Sequence, residues 1–305
     1  MKQVIVIAGP TASGKTGLAV SLAKQLNTEI ISADSMQIYQ GMDVGTAKVT
    51  EAEKQGILHH MIDICSPFEN YNVSQYVTDA KEHIERILSK GKIPIIAGGT
   101  GLYINSLVYD YNLSPIPSDE KLRAELTALY EEKGGECLLS ELQKIDPKTA
   151  ARLHPNNARR LIRALEVYRL SGTTISEQEE RTKNAPKPYD VRFFVLDTDR
   201  ALLYERINRR VDMMLENGLV REVTALLEQG IPRTNTAMQA IGYKEIVEYL
   251  DGYLTIEEAV DKIKQESRRY AKRQLTWFRR NEGAIWLEAT LSKEELTNQI
   301  LSTLG

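Results

Sequence analysis

Short apolar runs alternate along the chain with longer segments in which apolar residues recur every three or four positions. Residues 3–8, Gln-Val-Ile-Val-Ile-Ala, are almost continuously apolar and β-branched, which is typical of a strand buried on both faces. Similar runs predict four more strands, at residues 29–33, 92–97, 191–196 and 284–287. Helical patterns separate them, beginning with residues 16–25. This alternation predicts an α/β fold built on a doubly wound parallel sheet.

One interval is too long for a simple crossover between two strands. Between Asn112 and Asp190 the pattern is helical throughout, and prolines at Pro115–Pro117 and Pro186–Pro188 bracket it like hinges. We therefore predict a helical insertion domain. The predicted boundaries are 1–113 for the first part of the core, 114–188 for the insertion domain, and 189–305 for the last strands and the C-terminal helices.

Two helix starts are predicted inside this insertion. Ser118 begins an imperfect capping box, because Lys121 stands where Glu would be ideal. Asn156 or Asn157 should cap a second helix, which ends at Gly172.

Composition and charge narrow the class of protein. The 305 residues are 42% hydrophobic and 27% charged, and the net charge of −3 gives no global argument for binding nucleic acid. Cys65 and Cys137 have neither metal-site nor CxxC spacing, so we interpret them as structural thiols in a reducing compartment. No apolar run approaches the roughly 18 to 20 residues of a membrane helix. These features predict a cytoplasmic protein that does not bind membranes.

A phosphate-binding motif follows the first predicted strand. The pattern GxxxxGK[ST] is matched by Gly9, Pro10, Thr11, Ala12, Ser13, Gly14, Lys15 and Thr16. In such a loop the backbone N–H groups and the helix N-terminus point at a phosphate, Lys15 neutralises its oxygens, and the Thr16 hydroxyl typically ligates Mg²⁺. The alternative is an ordinary glycine-rich turn. The motif predicts a phosphate site but does not identify ATP as its ligand.

Two other predicted strands end in polar or small residues. Asp34 follows the second strand, where a carboxylate can act as a general base or hold Mg²⁺ through water, although it could also be a simple turn or capping residue. The third strand ends in Gly98-Gly99-Thr100-Gly101 without the Asp that nucleotide-hydrolysing enzymes often place there. Its small residues would let a ligand approach the backbone, and Thr100 offers a hydroxyl, unless this is only a tight turn.

Arginines decorate three predicted helices. Arg206 and Arg210 are i, i+4 neighbours on a helix that begins near Arg200, and two guanidiniums on one face suit a diphosphate. Arg159, Arg160 and Arg163 lie on the insertion helix. Residues 262–280 hold eight basic residues against one acid, with the inward stripe Val260, Ile263, Tyr270, Gln274 and Phe278, so the bases should form an outward ridge about 25 Å long. The alternative for each set is a solvated helix face.

His59 and His60 are adjacent, so their side chains should point apart on a helix or a strand. We therefore expect a structural or hydrogen-bonding role for them and not a shared metal site.

Several longer motifs, taken together, are highly specific. They are the P-loop at 9–16, Ser-Ala-Asp-Ser-Met-Gln-Ile-Tyr at 32–39, Asp-Val-Gly-Thr-Ala-Lys at 43–48, His59-His60, Gly-Gly-Thr-Gly-Leu-Tyr at 98–103, residues 160–166, Ala-Ile-Gly-Tyr-Lys-Glu at 240–245, and Tyr-Ala-Lys-Arg-Gln-Leu-Thr-Trp-Phe-Arg at 270–279. With these motifs the chain resembles, over nearly its whole length, the bacterial tRNA dimethylallyltransferases, which isopentenylate an adenosine beside the anticodon.

The resemblance implies a P-loop NTPase-like core whose P-loop holds dimethylallyl diphosphate, with Mg²⁺ at Thr16. It implies that Asp34 is the general base and that Asp34, Ser35, Met36 and Gln37 contact a flipped adenosine. It implies that Arg206 or Arg210 contacts the diphosphate, and we prefer Arg210. We expect Lys15, Thr100 and Arg210 to be catalytic together with Asp34. Contact with the tRNA anticodon stem-loop is implied for Thr100, Arg123, Arg159, Arg160 and Arg163. We expect Lys272 and Arg273 of the ridge to contact the tRNA as well. We expect a monomer.

Three other functions remain compatible with parts of the sequence. A small-molecule P-loop kinase shares the P-loop and Asp34 but predicts neither the ridge nor the insertion arginines. An isopentenyltransferase that acts on free adenine nucleotide has no use for an RNA-binding ridge. A non-enzymatic, nucleotide-gated RNA-binding protein would not need Asp34 at the phosphate site.

Overall fold

The computed structural model describes residues 2–109, 119–184 and 186–304. The predicted boundary at 113–114, the pair Pro115–Pro117 and the Ser118 cap lie outside the described residues. Two compact units are present: Met1–Val108 together with Pro188–Gly305, and Tyr109–Lys187.

Among the described residues, six parallel strands form one sheet. They are β1 (Gln3–Ala8), β2 (Ile30–Ser32), β3 (His59–His60), β4 (Ile95–Gly98), β5 (Asp190–Asp197) and β6 (Ile285–Glu288), in the order β3-β2-β4-β1-β5-β6. The five predicted strands are confirmed with ends shifted by a few residues. β3 was missed because it has two residues and no apolar run; it forms by pairing with Ile30 and Ile31 of β2.

The strands are separated by helices. These are α1 (Lys15–Gln25), α2 (Glu51–Lys54), α3 (Val73–Ser89), α4 (Gly101–Val108), α5 (Glu120–Lys133), α6 (Gly135–Ile145), α7 (Pro147–Ala150), α8 (Ala158–Ser171), α9 (Ile175–Asn184), α10 (Arg200–Glu216), α11 (Leu219–Glu228), α12 (Tyr243–Leu250), α13 (Ile256–Phe278) and α14 (Lys293–Ser302). None of those in the described parts of the chain combines the length and apolar character needed to cross a bilayer.

Apolar side chains of α1 and α14 pack against the sheet. Leu18 and Leu22 of α1 and Ile300 of α14 join Ile5 and Ile95 in one buried cluster. This packing places the first turn of α1 directly after β1 and holds the P-loop between them.

A second buried cluster joins α10–α13 to the segment that follows β2. It includes Ile38, Met42, Val211, Tyr243 and Ile263. Leu203, Ile207 and Val211 form the buried face of α10. Because α10 and α13 carry most of the chain's candidate basic residues, this cluster fixes them relative to β2.

Helices α5–α9 form the second unit around leucines that include Leu126, Leu142 and Leu165. α8 ends at Gly172, as predicted, with φ of 67°. Asn157 precedes α8, but its side chain accepts a hydrogen bond from the His154 N–H (2.9 Å) and does not cap the helix.

Candidate active site

The P-loop connects β1 to α1 with backbone that requires glycine at two points. Gly14 has φ of 91° immediately before α1, and Gly9 has φ of 153°. A Cβ on Gly9 would lie 3.0 Å from the backbone oxygen of Leu196 on β5. The Lys15 side chain folds back so that Nζ donates to the Pro10 carbonyl at 2.6 Å. This is the loop geometry that presents backbone N–H groups and a lysine to a phosphate.

A cavity of about 690 Å³ lies at the carboxyl ends of the strands, beside this loop. P-loop residues Thr11, Lys15 and Thr16 line it together with Asp34 and Arg210. Ligands of open α/β sheets bind at this edge of the sheet. The structure therefore brings the predicted phosphate loop, the predicted base and the preferred arginine to one cavity.

Asp34 is held by its own loop through one oxygen only. Oδ1 accepts hydrogen bonds from the N–H groups of Met36 (2.9 Å) and Gln37 (3.3 Å). Among the described residues none donates to Oδ2. The carboxylate is thus fixed in orientation while one oxygen stays available to a proton of a bound substrate.

Thr100 supports that loop and does not line the cavity. Its Oγ1 accepts from the Ser35 N–H at 3.1 Å, and its own N–H donates to the Ala33 carbonyl at 3.1 Å. Its neighbours Gly98 and Gly99 line the cavity instead. Thr100, for which we expected a catalytic role, therefore lies one residue beyond those that line the cavity.

Arg210 and Arg206 are separated by the structure. The Arg210 guanidinium donates to Thr11 Oγ1 (3.3 Å) and to the Thr46 carbonyl (3.2 Å), and it lines the cavity. Arg206, one turn earlier on α10, is half-buried and does not line it. Of the two arginines, Arg210 is thus the one that lies at the cavity, and its contact with diphosphate stays a prediction.

Gln274 of α13 is a site residue to which the sequence assigned no chemistry. It is 6% exposed; its Oε1 accepts from the Thr11 N–H at 2.9 Å, and its Nε2 donates to the Gly99 carbonyl at 2.9 Å. A Cβ on Gly99 would lie 2.2 Å from that Nε2. A polar residue on the otherwise apolar inward stripe of α13 was the signal, because a buried amide needs hydrogen-bond partners.

The cavity lowers the pKa of Lys15 to about 7, first through burial and then through the positive charge of Arg210, against an opposing effect of Asp34. Burial also lowers the pKa of Arg210, while Asp34 and Glu53 raise it. Two cations held together away from solvent are unfavourable without an anion. The cavity is therefore electrostatically suited to a multiply charged anion.

Diphosphate binding should consequently take up a proton. At pH 8, free Lys15 with a pKa of about 7 is mostly neutral, and a bound anion restores its charge, so uptake should approach ~0.9 proton. At pH 6 free Lys15 is already protonated, and uptake should fall. Calorimetric titration in buffers of different ionisation enthalpy measures this number. Equal uptake by the wild type and Lys15→Met at pH 8 would show that Lys15 is charged before binding.

The insertion arginines divide into two pairs. Arg123 and Arg163 both bind the carboxylate of Glu166, which is fully buried, at 2.9 and 2.6 Å. Arg159 and Arg160 are exposed at the start of α8. Arg123 and Arg163 therefore compensate a buried charge within this unit, which the sequence did not indicate.

The predicted outward ridge at residues 262–280 is wrong in part. Acids from neighbouring helices or from α13 itself pair with Lys262, Lys264 and Arg269. Arg268 donates to Asn208 at 2.6 Å. The exposed bases without a carboxylate partner among the described residues are Lys272, Arg273, Arg279 and Arg280, so the unpaired charge is concentrated at the C-terminal end of α13. The ion pairs of Lys262 and Lys264 could not be predicted from the sequence, because Glu248 lies on α12 and Asp212 on α10.

His60 has a hydrogen-bonding role at the edge of the sheet. Its Nε2 lies 2.7 Å from a carboxylate oxygen of Glu29, and its ring stacks on His83 with centroids 4.4 Å apart. Burial lowers the pKa of His60.

Among the residues that line the cavity, Thr16 could hold a magnesium ion. No group of three or more His, Cys, Asp or Glu side chains suited to a metal occurs in the described ranges. Mg²⁺, however, keeps several waters and often takes only one or two protein ligands beside substrate phosphates. The exposed Thr16 hydroxyl beside the P-loop fits that pattern. When bound, the ion would offset negative charge on a leaving diphosphate.

Together the parallel sheet, the P-loop and the cavity define an α/β protein of the P-loop class with a cavity suited to a phosphorylated ligand. A model of the IPP transferase family matches residues 37–281, so the chain belongs to that family. A tRNA dimethylallyltransferase of Acetivibrio thermocellus is 51% identical, with 94% of this chain and 92% of the relative covered.

Solved structures agree with this assignment. The full-length tRNA isopentenylpyrophosphate transferase of Bacillus halodurans is similar with a TM-score of 0.75 at 46% identity, covering 100% of this chain and 97% of the other. A eukaryotic dimethylallyltransferase acting on tRNA is similar with a TM-score of 0.79 at 33% identity, covering 95% and 74% of the two chains.

Proposed function

We propose that this protein transfers a dimethylallyl group from dimethylallyl diphosphate to the exocyclic N6 amine of the tRNA adenosine that follows the anticodon, and releases diphosphate. The observation that carries the proposal is the cavity in which Lys15 and Arg210 lie beside the half-free carboxylate of Asp34. Lys15 and Arg210 would stabilise a leaving diphosphate at the same cavity at which Asp34 would take a proton from an amine. The names of the relatives support the same reaction.

The transfer breaks the C1–O bond of the allylic diphosphate and forms a C1–N6 bond. Negative charge that develops on the diphosphate is stabilised by P-loop N–H groups, Lys15 and Arg210, which are already in place before the reaction. The amine is a weak nucleophile, and the new N–C bond leaves a proton on nitrogen. Asp34 Oδ2 accepts that proton, so charge balances in the step.

An adenosine stacked in an anticodon loop cannot reach C1 of the prenyl group. It must leave the stack and enter the cavity, as bases do in other enzymes that modify them. Loop residues Asp34, Ser35, Met36 and Gln37 line the cavity beside the P-loop and would contact the flipped base. At the C-terminal end of α13, the exposed lysine and arginine side chains that lack a carboxylate partner in the described part of the chain suit contact with the RNA backbone. The exposed Arg159 and Arg160 suit the same contact. We propose that the protein acts as a cytoplasmic monomer.

A four-substrate assay tests the proposal. We expect transfer only when dimethylallyl diphosphate is combined with unmodified tRNA that carries adenosine after the anticodon, detected as a mass gain on that nucleoside. AMP in place of tRNA should remain unmodified, and ATP with small-molecule acceptors should yield no phosphoryl transfer. Prenylation of AMP at a rate similar to that of tRNA would contradict the RNA assignment, and phosphoryl transfer from ATP would indicate a kinase.

A further inference from the structure

The loop at residues 43–48 directs three consecutive backbone N–H groups at one carboxylate. Glu222 on α11 accepts from Asp43 N–H (2.8 Å) and Val44 N–H (2.7 Å) through Oε2, and from Gly45 N–H (3.0 Å) through Oε1. The Tyr243 hydroxyl donates to the same Oε1 at 2.5 Å. Four donors converge on a partly buried side chain, so its position is tightly determined.

Tyr243 also packs across the loop. Its side chain is buried, and a Cβ on Gly45 would lie 2.4 Å from its ring. Only glycine permits this approach, which brings the hydroxyl to Glu222. The Glu222 carboxylate thus holds the N–H groups of residues 43–45, and the Tyr243 ring packs against Gly45 of the same loop.

The carbonyls of this loop hold two side chains of the cavity. Thr46 O accepts from the Arg210 guanidinium (3.2 Å) and from Gln37 Nε2 (3.3 Å). Ala47 O accepts from Gln37 Nε2 at 3.3 Å. Among the residues that the structure describes, Arg210 has one other hydrogen bond, to Thr11 Oγ1 at 3.3 Å, so Thr46 O accepts one of the two hydrogen bonds that orient its guanidinium.

We propose that Glu222, supported by Tyr243, is a positioning residue that aims Arg210 into the phosphate cavity. Glu222 fixes the backbone of residues 43–45, and this places the Thr46 carbonyl that orients the guanidinium. Glu222 does not line the cavity itself, so it acts through the loop. The consequence for prenyl transfer rests on the proposed function; the consequence for anion binding rests only on the P-loop and Arg210.

Glu222→Gln tests the mechanism with almost no change of shape. An amide presents one N–H₂ group where a carboxylate accepted, so at least one backbone N–H of the loop loses its partner. We expect binding of inorganic diphosphate, measured by calorimetry, to weaken about 10-fold, the scale of a lost hydrogen bond to a charged group. Glu228→Gln, at the exposed end of the same helix, should bind as the wild type does.

A double-mutant cycle separates positioning from general destabilisation. Arg210→Ala should weaken diphosphate binding, and adding Glu222→Gln should weaken it little further, because the residue it positions is gone. Losses that simply add would overturn the proposal. Inorganic diphosphate is the probe, so a protein that transferred no prenyl group would leave this test intact.

Hydrogen exchange gives a readout that does not depend on any ligand. The amides of residues 43–45 should exchange faster in Glu222→Gln, and Tyr243→Phe, which removes one donor, should show the same change to a smaller extent. Tyr243→Phe also serves if Glu222→Gln does not fold, with an expected 2- to 5-fold loss of diphosphate affinity. Unchanged exchange at residues 43–45 in both variants would refute the proposal.

Discussion

An Asp34→Asn variant should bind dimethylallyl diphosphate and tRNA almost normally, and yet transfer the prenyl group about 10²- to 10⁴-fold more slowly. The amide keeps the Oδ1 that accepts from the Met36 and Gln37 N–H groups, so the loop should stay in place. What it loses is the ability to take a proton from the amine. The expected change is therefore in kcat, with little change in the KM for dimethylallyl diphosphate.

A magnesium titration separates this role from metal binding. If Asp34 instead held Mg²⁺ through water, diphosphate binding would weaken in Asp34→Asn and added Mg²⁺ would restore turnover. Asp261→Asn, an exposed position on α13, is the matched control and should have wild-type rates. Restoration of turnover by magnesium would exclude Asp34 as the general base.

Lys15→Ala should reduce turnover by on the order of 10²-fold or more, because it removes a charge-stabilising group from the leaving diphosphate. Lys24→Ala, at the exposed end of the same helix, should leave turnover unchanged. Steady-state rates for the two variants at saturating tRNA provide the comparison. Near-normal turnover in Lys15→Ala would argue that the P-loop does not hold the leaving group.

The melting temperature supplies the control for folding. Burial lowers the pKa of Lys15 to about 7, so its charge is less stable in the folded chain than in the unfolded one. Below pH 7 the full cost of burying the Lys15 charge lowers the free energy of unfolding. This cost disappears as pH rises from 7 towards 10.5, the pKa of lysine in the unfolded chain. Lys15→Ala should therefore melt no lower than the wild type at neutral pH, and a melting temperature at or above the wild-type value would show that the activity loss does not come from unfolding.

Local patterns predicted what depends on neighbours in sequence. The run Val4–Ala8, which is buried in β1, and the glycines of the P-loop could be placed because their apolar character and spacing are local properties. Asp34 could be placed at the cavity because strand ends follow from the same patterns, whereas the choice of Arg210 over Arg206 came from the resemblance to the tRNA dimethylallyltransferases.

Contacts between distant segments could not be predicted in this way. Nothing around Glu222 indicates that three N–H groups from residues 43–45 point at it, and the buried pairing of Arg163 with Glu166 resembles any exposed i, i+3 pair. The pairing of Lys262 and Lys264 on α13 could not be predicted for the same reason, since their acidic partners lie on α12 and α10. The two-residue β3 exists only because β2 offers an edge to pair with.

The rim of the P-loop is hydrogen-bonded to segments that are synthesised long after it. Thr11 contributes its N–H to Gln274, 263 positions later, and its hydroxyl to Arg210, 199 positions later. Closing such long loops is entropically expensive and belongs to late stages of folding. A nascent chain that ends before α13 therefore carries the whole phosphate motif without its clamp. The phosphate motif is thus synthesised well before the contacts that hold its rim, so the growing polypeptide should not bind diphosphates until α13 has been made.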